Sequence, residues 1–150
     1  MSHVLGMNAK LYRNTATYGT PTWDLVGNVR DLTLALTKDV ADVTTRGNNG
    51  WKAEVGTLKD GSVDFSMVWD TADTDFTAMQ TAFLAGTLID FAVMDGAITT
   101  TGSQGLRAEF DIMTFSRNEN LTEALMVDVS MKPGYSANAP IWYTVPAPYQ

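Results

Sequence analysis

The stretch Trp51–Asp70, WKAEVGTLKDGSVDFSMVWD, decides the predicted fold. Its second half alternates large apolar side chains with mostly polar ones, a period of two that buries one face of a strand. The apolar set is Val63, Phe65, Met67 and Trp69. Lys59, Asp60 and Gly61 have the composition of a tight turn, and Gly61 can adopt the positive φ that a short hairpin requires. The stretch therefore predicts a two-stranded β-hairpin, with Trp51 and Trp69 in the core.

Further runs with the same alternation lie on both sides of this hairpin. They predict strands at Val4–Asn14, Val29–Lys38, Leu88–Met94, Gly105–Ser116, Leu121–Lys132 and Ile141–Val145. Polar residues 117–120 have turn composition, so the strands on either side of them are predicted to form a second, long hairpin.

The segment Thr71–Gly86 changes to a helical period. Its large apolar residues recur at i, i+3, i+7 and i+8, which indicates one face of a helix. These residues are Phe76, Met79, Phe83 and Leu84. Asp73 or Thr74 is the predicted N-cap, Asp75 suits the positive end of the helix dipole, and Gly86 is predicted to end the helix. The expected fold is mainly β: an antiparallel sandwich or barrel with one flanking helix.

Composition limits the function. The chain has 150 residues, 45% of them hydrophobic, which predicts one globular domain over residues 1–150. It has no cysteine and only one histidine, His3, so we expect no disulfide, no metal or cofactor site, and no enzyme. The opening residues show no secretory signal and no run is long enough to span a membrane, so we expect a soluble protein made in the cytosol.

The net charge of −7 is unevenly distributed. Between Gly61 and Gln104 there are six aspartates and neither lysine nor arginine. An acidic surface repels phosphates, which argues against a protein that grips nucleic acid. Two interpretations remain open: solubility alone, or a surface that nucleic acid passes without adhering.

Two segments are predicted to be exposed. Residues 39–50 combine β-branched residues with the sequence GNNG, and form either an arm suited to pairing with another strand or an ordinary solvated loop. Residues 135–150 form an extended tail rich in proline and aromatic residues, in which Trp142 is a candidate for contacts between subunits.

Two possible sites have simpler explanations. The aspartates of residues 70–75 resemble a calcium loop but lack its central glycine and final glutamate, so helix capping explains them better. Glu109 and Asp111 lie two residues apart on one strand, which is more typical of a solvated strand face than of an acid–base pair.

Several of these pieces together resemble the tail tube (major tail) proteins of long-tailed bacteriophages. The pieces are Lys38, DVTTR at 42–46, Gly50–Trp51, the stretch Thr57–Asp70, and FSRNENL-x-EAL-x-VDVS-x-KP at Phe115–Pro133. The resemblance implies a β-sandwich or small barrel with one helix. It also implies hexameric rings that stack into a hollow tube through which DNA travels. The implied partners are copies of the chain and the tape-measure, tail-tip and tail-terminator proteins, in the virion tail and away from any membrane.

Under this interpretation, acids on the polar faces of the predicted hairpins become candidates for lining the lumen: Glu54, Asp64, Glu109, Asp111 and Asp128. An acidic lumen would keep DNA from adhering along the tube. Candidates for contacts between subunits or rings are Asp42, Val43, Thr44, Thr45, Arg46, Asn48, Asn49, Trp142 and Tyr143, together with the N-terminal segment.

Two alternatives remain open from the residues. One is the tube of a contractile injection or secretion system, or of a gene-transfer particle. The other is a monomeric carbohydrate-binding β-sandwich that uses Trp23 or Trp142 as a sugar platform.

Overall fold

The computed structural model describes residues 6, 9–119, 121 and 124–146. Within them are one α-helix, α1 (Thr74–Ala85), a short 3-10 helix at Arg46–Asn48, and eight strands. The strands are β1 (Lys10–Asn14), β2 (Trp23–Leu25), β3 (Val29–Asp42), β4 (Glu54–Val68), β5 (Ile89–Met94), β6 (Gln104–Asn118), β7 (Met126–Pro133) and β8 (Ile141–Thr144).

All strands belong to one antiparallel sheet in the order β2-β1-β5-β6-β7-β4-β3, with β8 paired to β6. The sheet curls so that residues from both its ends share one hydrophobic core: Leu11 of β1 and the central Phe110 belong to it, and the partly buried Leu32 of β3 packs against it. Helix α1 covers the same core through Phe76 and Met79. The predicted mainly-β architecture with one flanking helix is confirmed.

The turn predicted at residues 59–61 is wrong. Strand β4 runs straight through these residues and pairs along its length with β3, from Val29 opposite Met67 to Asp42 opposite Glu54. The chain reverses in residues 43–53 instead. Gly61 leaves room for its neighbour across the ladder: a Cβ there would lie 3.2 Å from the Leu36 side chain, which would have to shift slightly. Pairing over the full length of a long neighbouring strand thus overrides the local turn signal.

The second hairpin, between β6 and β7, forms as predicted. Ile112 pairs with Met131, and the alternating Val127, Val129 and Met131 are all buried. Strand β6 continues to Asn118, beyond the predicted end at Ser116, and β7 begins only at Met126. The turn is therefore later than predicted.

Helix α1 has the predicted caps. The Asp73 carboxylate accepts a hydrogen bond from Asp75 N at 3.2 Å, and Gly86, at φ 73°, donates to Ala82 O at 2.8 Å. The predicted apolar face is only partly right, because Leu84 is 76% exposed. At 100° per residue Leu84 projects about 80° from Phe76, outside the stripe that packs on the sheet.

The N-terminal region and β5 also differ from the prediction. The first strand begins at Lys10, and residues 4–5 and 7–8 of the predicted strand lie outside the described residues. The short β2 was not predicted. Strand β5 is buried on both faces, because Ala92 and Met94 form a second apolar cluster on the outer side of the sheet. The other members of that cluster are Tyr12 and Val145, with Trp23, Ile98 and Tyr143 packed against it.

The close approach of β5 to β6 generates a stability prediction. A Cβ on Gly105 would lie 1.6 Å from the Val93 carbonyl oxygen, which is backbone and cannot move aside. We expect Gly105→Ala to destabilise the fold by more than about 4 kcal/mol or to prevent folding. Gly19→Ala is the matched control, because no atom lies within 4 Å of the new Cβ. Thermal denaturation with similar midpoints for the two variants would contradict this packing.

Candidate assembly surfaces

The outer side of the four strands β3, β4, β7 and β6 is polar. Two rows of cross-strand partners run over it, and short hydroxyl and carboxylate side chains dominate both rows. We call this the hydroxyl–carboxylate face: Asp31, Thr33, Asp64, Ser66, Thr114, Ser116, Asp128 and Ser130. Among the described residues, no lysine or arginine lines the shallow depression at its centre. The other side of these strands is the hydrophobic core, so the two sides of this part of the sheet differ sharply.

The structure brings together three of the five lumen candidates. Asp64 and Asp128 lie on neighbouring strands of the hydroxyl–carboxylate face, two residues apart in register. Asp111 lies on the same side of the sheet, opposite Lys132, which forms an ion pair with Asp60 at 3.2 Å.

The other two candidates lie elsewhere or are already engaged. Glu109 accepts hydrogen bonds from Ser136 and, at 3.1 Å, from Asn138 Nδ2, so its carboxylate holds the segment that follows β7. Glu54 is opposite Asp42. A register shift between Lys38 and Val40 puts Glu54 on the opposite face of the ladder from Asp64.

The four-stranded part of the sheet ends in two open edges. Within the described residues, the outer edge of the 14-residue β3 has no partner strand. Strand β5 pairs with β6 only as far as Phe110, so residues 111–118 of β6 are paired with β7 on one side alone. Open edges expose unpaired backbone groups and favour pairing with another chain.

The outer side of the remaining strands is covered, which distinguishes it from the hydroxyl–carboxylate face. The second apolar cluster lies there, next to Arg107, which is 6% exposed. Arg107 binds Asp90 at 2.8 Å and donates to the Tyr18 carbonyl oxygen, and its guanidinium lies 3.9 Å from the Tyr18 ring centre and 4.9 Å from that of Trp23. This buried cation was not identified as structural from the sequence, which gives no sign of its partners.

The distal parts of β3 and β4, with the residues between them, form an exposed hairpin that we call the arm (residues 36–60). The Thr44 hydroxyl bonds to both backbone groups of Ala53, and Asp42 accepts from Thr44 N at 2.9 Å. Hydrogen bonds from Thr44 lower the pKa of the Asp42 carboxyl. Asn49 and Gly50, at φ 53° and 85°, complete the reversal of the chain.

The arm is unusually apolar for an exposed hairpin. Six large hydrophobic residues on it are exposed: Leu36, Val40, Val43, Trp51, Val55 and Leu58. The prediction that Trp51 is a core residue is wrong, since it is 78% exposed, whereas Trp69 packs edge-on against Phe76 at 4.7 Å. Exposed apolar patches of this kind are typical of interaction surfaces, and this one extends beyond the predicted arm of residues 39–50.

The contact candidates fall into separate places. Asp42, Val43, Thr44, Thr45, Arg46, Asn48 and Asn49 lie at the tip of the arm. Trp142 is 54% exposed and donates to Gln104 at 2.9 Å beside a groove that separates β8 from the base of the arm. Tyr143 points instead to Trp23, with ring centres 6.5 Å apart, and packs within its own chain.

Helix α1 is joined to the sheet by a buried charge cluster. Asp75, 3% exposed, accepts a hydrogen bond from Arg13 Nε at 2.6 Å. Burial raises the pKa of the Asp75 carboxyl to about 6; the bond from Arg13 opposes this rise and a hydrogen bond with Asp24 adds to it. None of the described helices is long and apolar enough to cross a membrane.

Comparison with known proteins identifies the family. The family model of the phage tail tube protein matches residues 8–133. The chain therefore belongs to the phage tail tube protein family and is a structural tube subunit. No curated protein sequence matches the chain.

Solved structures share the fold at low sequence identity. The tail of an empty gene transfer agent particle, determined with C6 symmetry, is 19% identical with a TM-score of 0.72 over 93% of this chain and 98% of its own. The SPP1 tail tube is 10% identical with a TM-score of 0.75, over 97% and 81%. A chain of the anti-feeding prophage baseplate is 8% identical with a TM-score of 0.67, over 97% and 98%.

The Asp75 cluster predicts how stability changes with pH. The pKa of Asp75 in the folded state lies above its unfolded value of 3.8, so folding favours the protonated carboxyl. The stability that this preference contributes is fully present below about pH 4 and is lost as the pH rises through about 6. We expect the free energy of unfolding of the wild type to fall by up to about 3 kcal/mol over this range relative to Asp75→Asn. Urea denaturation across pH 4–7 measures the difference. Asp70→Asn, at an exposed carboxylate, should keep the wild-type slope; a wild-type slope in Asp75→Asn would refute the assignment.

Proposed function

We propose that copies of this chain close into a ring by pairing the open β3 edge of one copy with the open β6 edge of the next. The single observation that carries this proposal is the presence of two open edges on one four-stranded unit. Because β3, β4, β7 and β6 alternate in direction, β3 and β6 run in opposite directions. Their pairing between copies is therefore antiparallel, and a closed ring leaves no edge exposed.

The ring size follows from the symmetry of the related gene transfer agent tail. Six copies that contribute four strands each make a barrel of 24 strands. At about 4.8 Å per strand the backbone circumference is roughly 115 Å before strand tilt widens it. The diameter, more than about 36 Å, leaves a channel wide enough for a nucleic-acid duplex after inward side chains are allowed for.

We propose that the hydroxyl–carboxylate face lines this channel. The opposite side of the same strands carries the core and helix α1, which leaves only this face to point inward. Asp64, Asp111 and Asp128 are then the lumen acids from the predicted set, with Asp31 added. Carboxylates repel DNA phosphates, and short hydroxyl side chains keep the wall smooth, so DNA would move without adhering.

Stacked rings form the tube in this proposal, within a phage tail that is assembled in the host cytoplasm. The whole chain acts as one tube domain without enzymatic activity, and the arm and the segment after β7 contact other copies. A length-setting tape-measure protein, a tail-tip complex and a terminator protein would complete the tail. The polar wall and the exposed arm favour this role over sugar binding, and of the two candidate sugar platforms Trp23 already packs against Arg107 and Tyr143.

A second candidate is the tube of a gene-transfer particle or contractile injection system. The observation that favours it is the similar TM-score of the gene transfer agent and anti-feeding prophage chains. Such tubes would share the proposed assembly. The charge of the wall tests what the DNA-carrying candidates have in common, the passage of DNA through the channel.

We expect Asp64→Lys/Asp128→Lys to form tubes of wild-type diameter that retain DNA, because the wall then attracts phosphates. Negative-stain electron microscopy measures the tubes, and co-sedimentation of duplex DNA measures retention at physiological salt. Asp70→Lys/Thr81→Lys/Thr87→Lys adds the same charge to the loop and helix side, where bound DNA lies outside the tube and is open to nuclease; after nuclease treatment only the wall variant should retain DNA. Equal retention by the two variants would place the hydroxyl–carboxylate face outside the channel. Absence of tubes from concentrated wild-type protein, even with a tail-tip complex as template, would contradict the assembly.

A further inference from the structure

The arm carries two cross-strand pairs of like charge. Lys38 lies directly opposite Lys59, and Asp42 lies directly opposite Glu54. The shift between Lys38 and Val40 adds its extra residue to β4, so β3 alternates regularly through this part. Both pairs therefore lie on the same face of the arm, with Val40 between them.

Like charges directly opposite each other destabilise a ladder, so these two pairs cost the isolated subunit stability. Neither the Lys38 nor the Lys59 side chain forms a hydrogen bond or ion pair with a described residue. Glu54 has only a weak contact to Lys52 at 3.9 Å, with the lysine side chain largely exposed. The charges on this face are thus left largely uncompensated within one copy.

The neighbouring residues keep the face open. Gly56 and Gly61 lie opposite Val40 and Leu36, so the face carries side chains from mainly one strand. The Lys38 stem lies across Gly56, where a Cβ would be 2.4 Å from its Cδ. Along β3 the face presents Leu36, a positive pair, exposed Val40 and a negative pair, with about 13 Å between the two charged pairs.

We propose that this face binds the arm of a second copy, with the Asp42/Glu54 pair of one arm against the Lys38/Lys59 pair of the next. The inference rests on the proposed tube assembly and names the partner of the arm within it. Opposite charges meet across the contact, and the exposed Leu36 and Val40 are buried beside them.

In a tube whose copies all point the same way, each copy uses its Asp42/Glu54 pair towards one neighbour and its Lys38/Lys59 pair towards the other, so the contact is heterologous and propagates in one direction. Each like-charge pair repels within its own ladder but becomes an attractive group once a second arm binds. The opposite face of the arm, which carries Asp39, takes no part in it.

Complementary charge reversals test the proposal. Lys38→Glu/Lys59→Glu makes both pairs negative, and Asp42→Lys/Glu54→Lys makes both positive. Each variant keeps two like-charge pairs in its own ladder, so subunit stability should change little. We expect each variant alone to need at least about tenfold more protein to form tubes than the wild type, because like charges now meet. An equimolar mixture should assemble within about threefold of the wild-type concentration, because opposite charges meet again at every contact.

Light scattering measures the assembly threshold, and circular dichroism melting confirms that each variant is folded. If Asp42→Lys disrupts the tip of the arm, the variant Asp42→Asn/Glu54→Lys is used in its place. The asparagine side chain can still accept the hydrogen bond from Thr44 N. Asp39→Lys, on the other face of the arm, should assemble like the wild type. Variants that assemble at the wild-type threshold, or a mixture that fails to recover, would overturn the arm contact while wild-type tubes still form. A wild type that forms no tubes would instead refute the proposed function.

Discussion

The long ladder between β3 and β4 is the constraint on which the rest of the structure depends. Its inner part turns Leu32 and Phe65 into the core and leaves Asp64 on the opposite face. Its outer part continues past the core as the arm, where the same alternation leaves apolar and charged residues without cover. One continuous pairing therefore produces the core, the polar wall and the exposed arm.

The outer side of the curled sheet is covered over some strands and open over others. In the proposed ring this difference decides which part of the sheet faces the channel. Over β1, β5 and β6 the outer side is closed by the second apolar cluster and by Arg107 held between Asp90, Tyr18 and Trp23. Burying a charged arginine is favourable only where it is paired and hydrogen-bonded, as it is here. Over β3, β4, β7 and the end of β6 the outer side stays polar. Among the described strands, only that part combines an open surface with open strand edges.

Much of this fold could be predicted from the period of the sequence. The β6–β7 hairpin, the helix and its caps follow from local patterns, because Val127, Val129 and Met131 alternate strictly and Asp73 precedes a helical repeat. The turn at 59–61 was predicted wrongly because Lys-Asp-Gly is a local signal, while the partner that straightens β4 is more than twenty residues away in the chain.

The surfaces were harder to predict than the elements. Glu54 and Asp64 are an even number of residues apart, so regular alternation predicts that they lie on the same face of the strand. The register shift in the ladder puts them on opposite faces. Glu109 looked like a free acid, but residues almost thirty positions later bind it. Leu36 continues the alternation of Leu32 and Leu34, which pack against the core, and this pattern predicts that it is buried as well. It is exposed because it lies where the ladder extends beyond the core. Each of these features depends on contacts between segments that are far apart in the chain, so the local sequence pattern does not predict it.

The central claim is that the β3 edge of one copy pairs with the β6 edge of the next. Because the chain has no native cysteine, Thr33→Cys on β3 can be combined in turn with Asp111→Cys, Thr114→Cys or Ser116→Cys on β6. Disulfides require Cβ atoms about 4 Å apart, so only paired strands in the correct register will react. In assembled tubes, we predict that one combination forms a ladder of covalent multimers ending at six on a non-reducing gel. Cross-linking that stops at dimers, or that is no stronger than for Thr33→Cys with Thr81→Cys on the helix, would contradict the account.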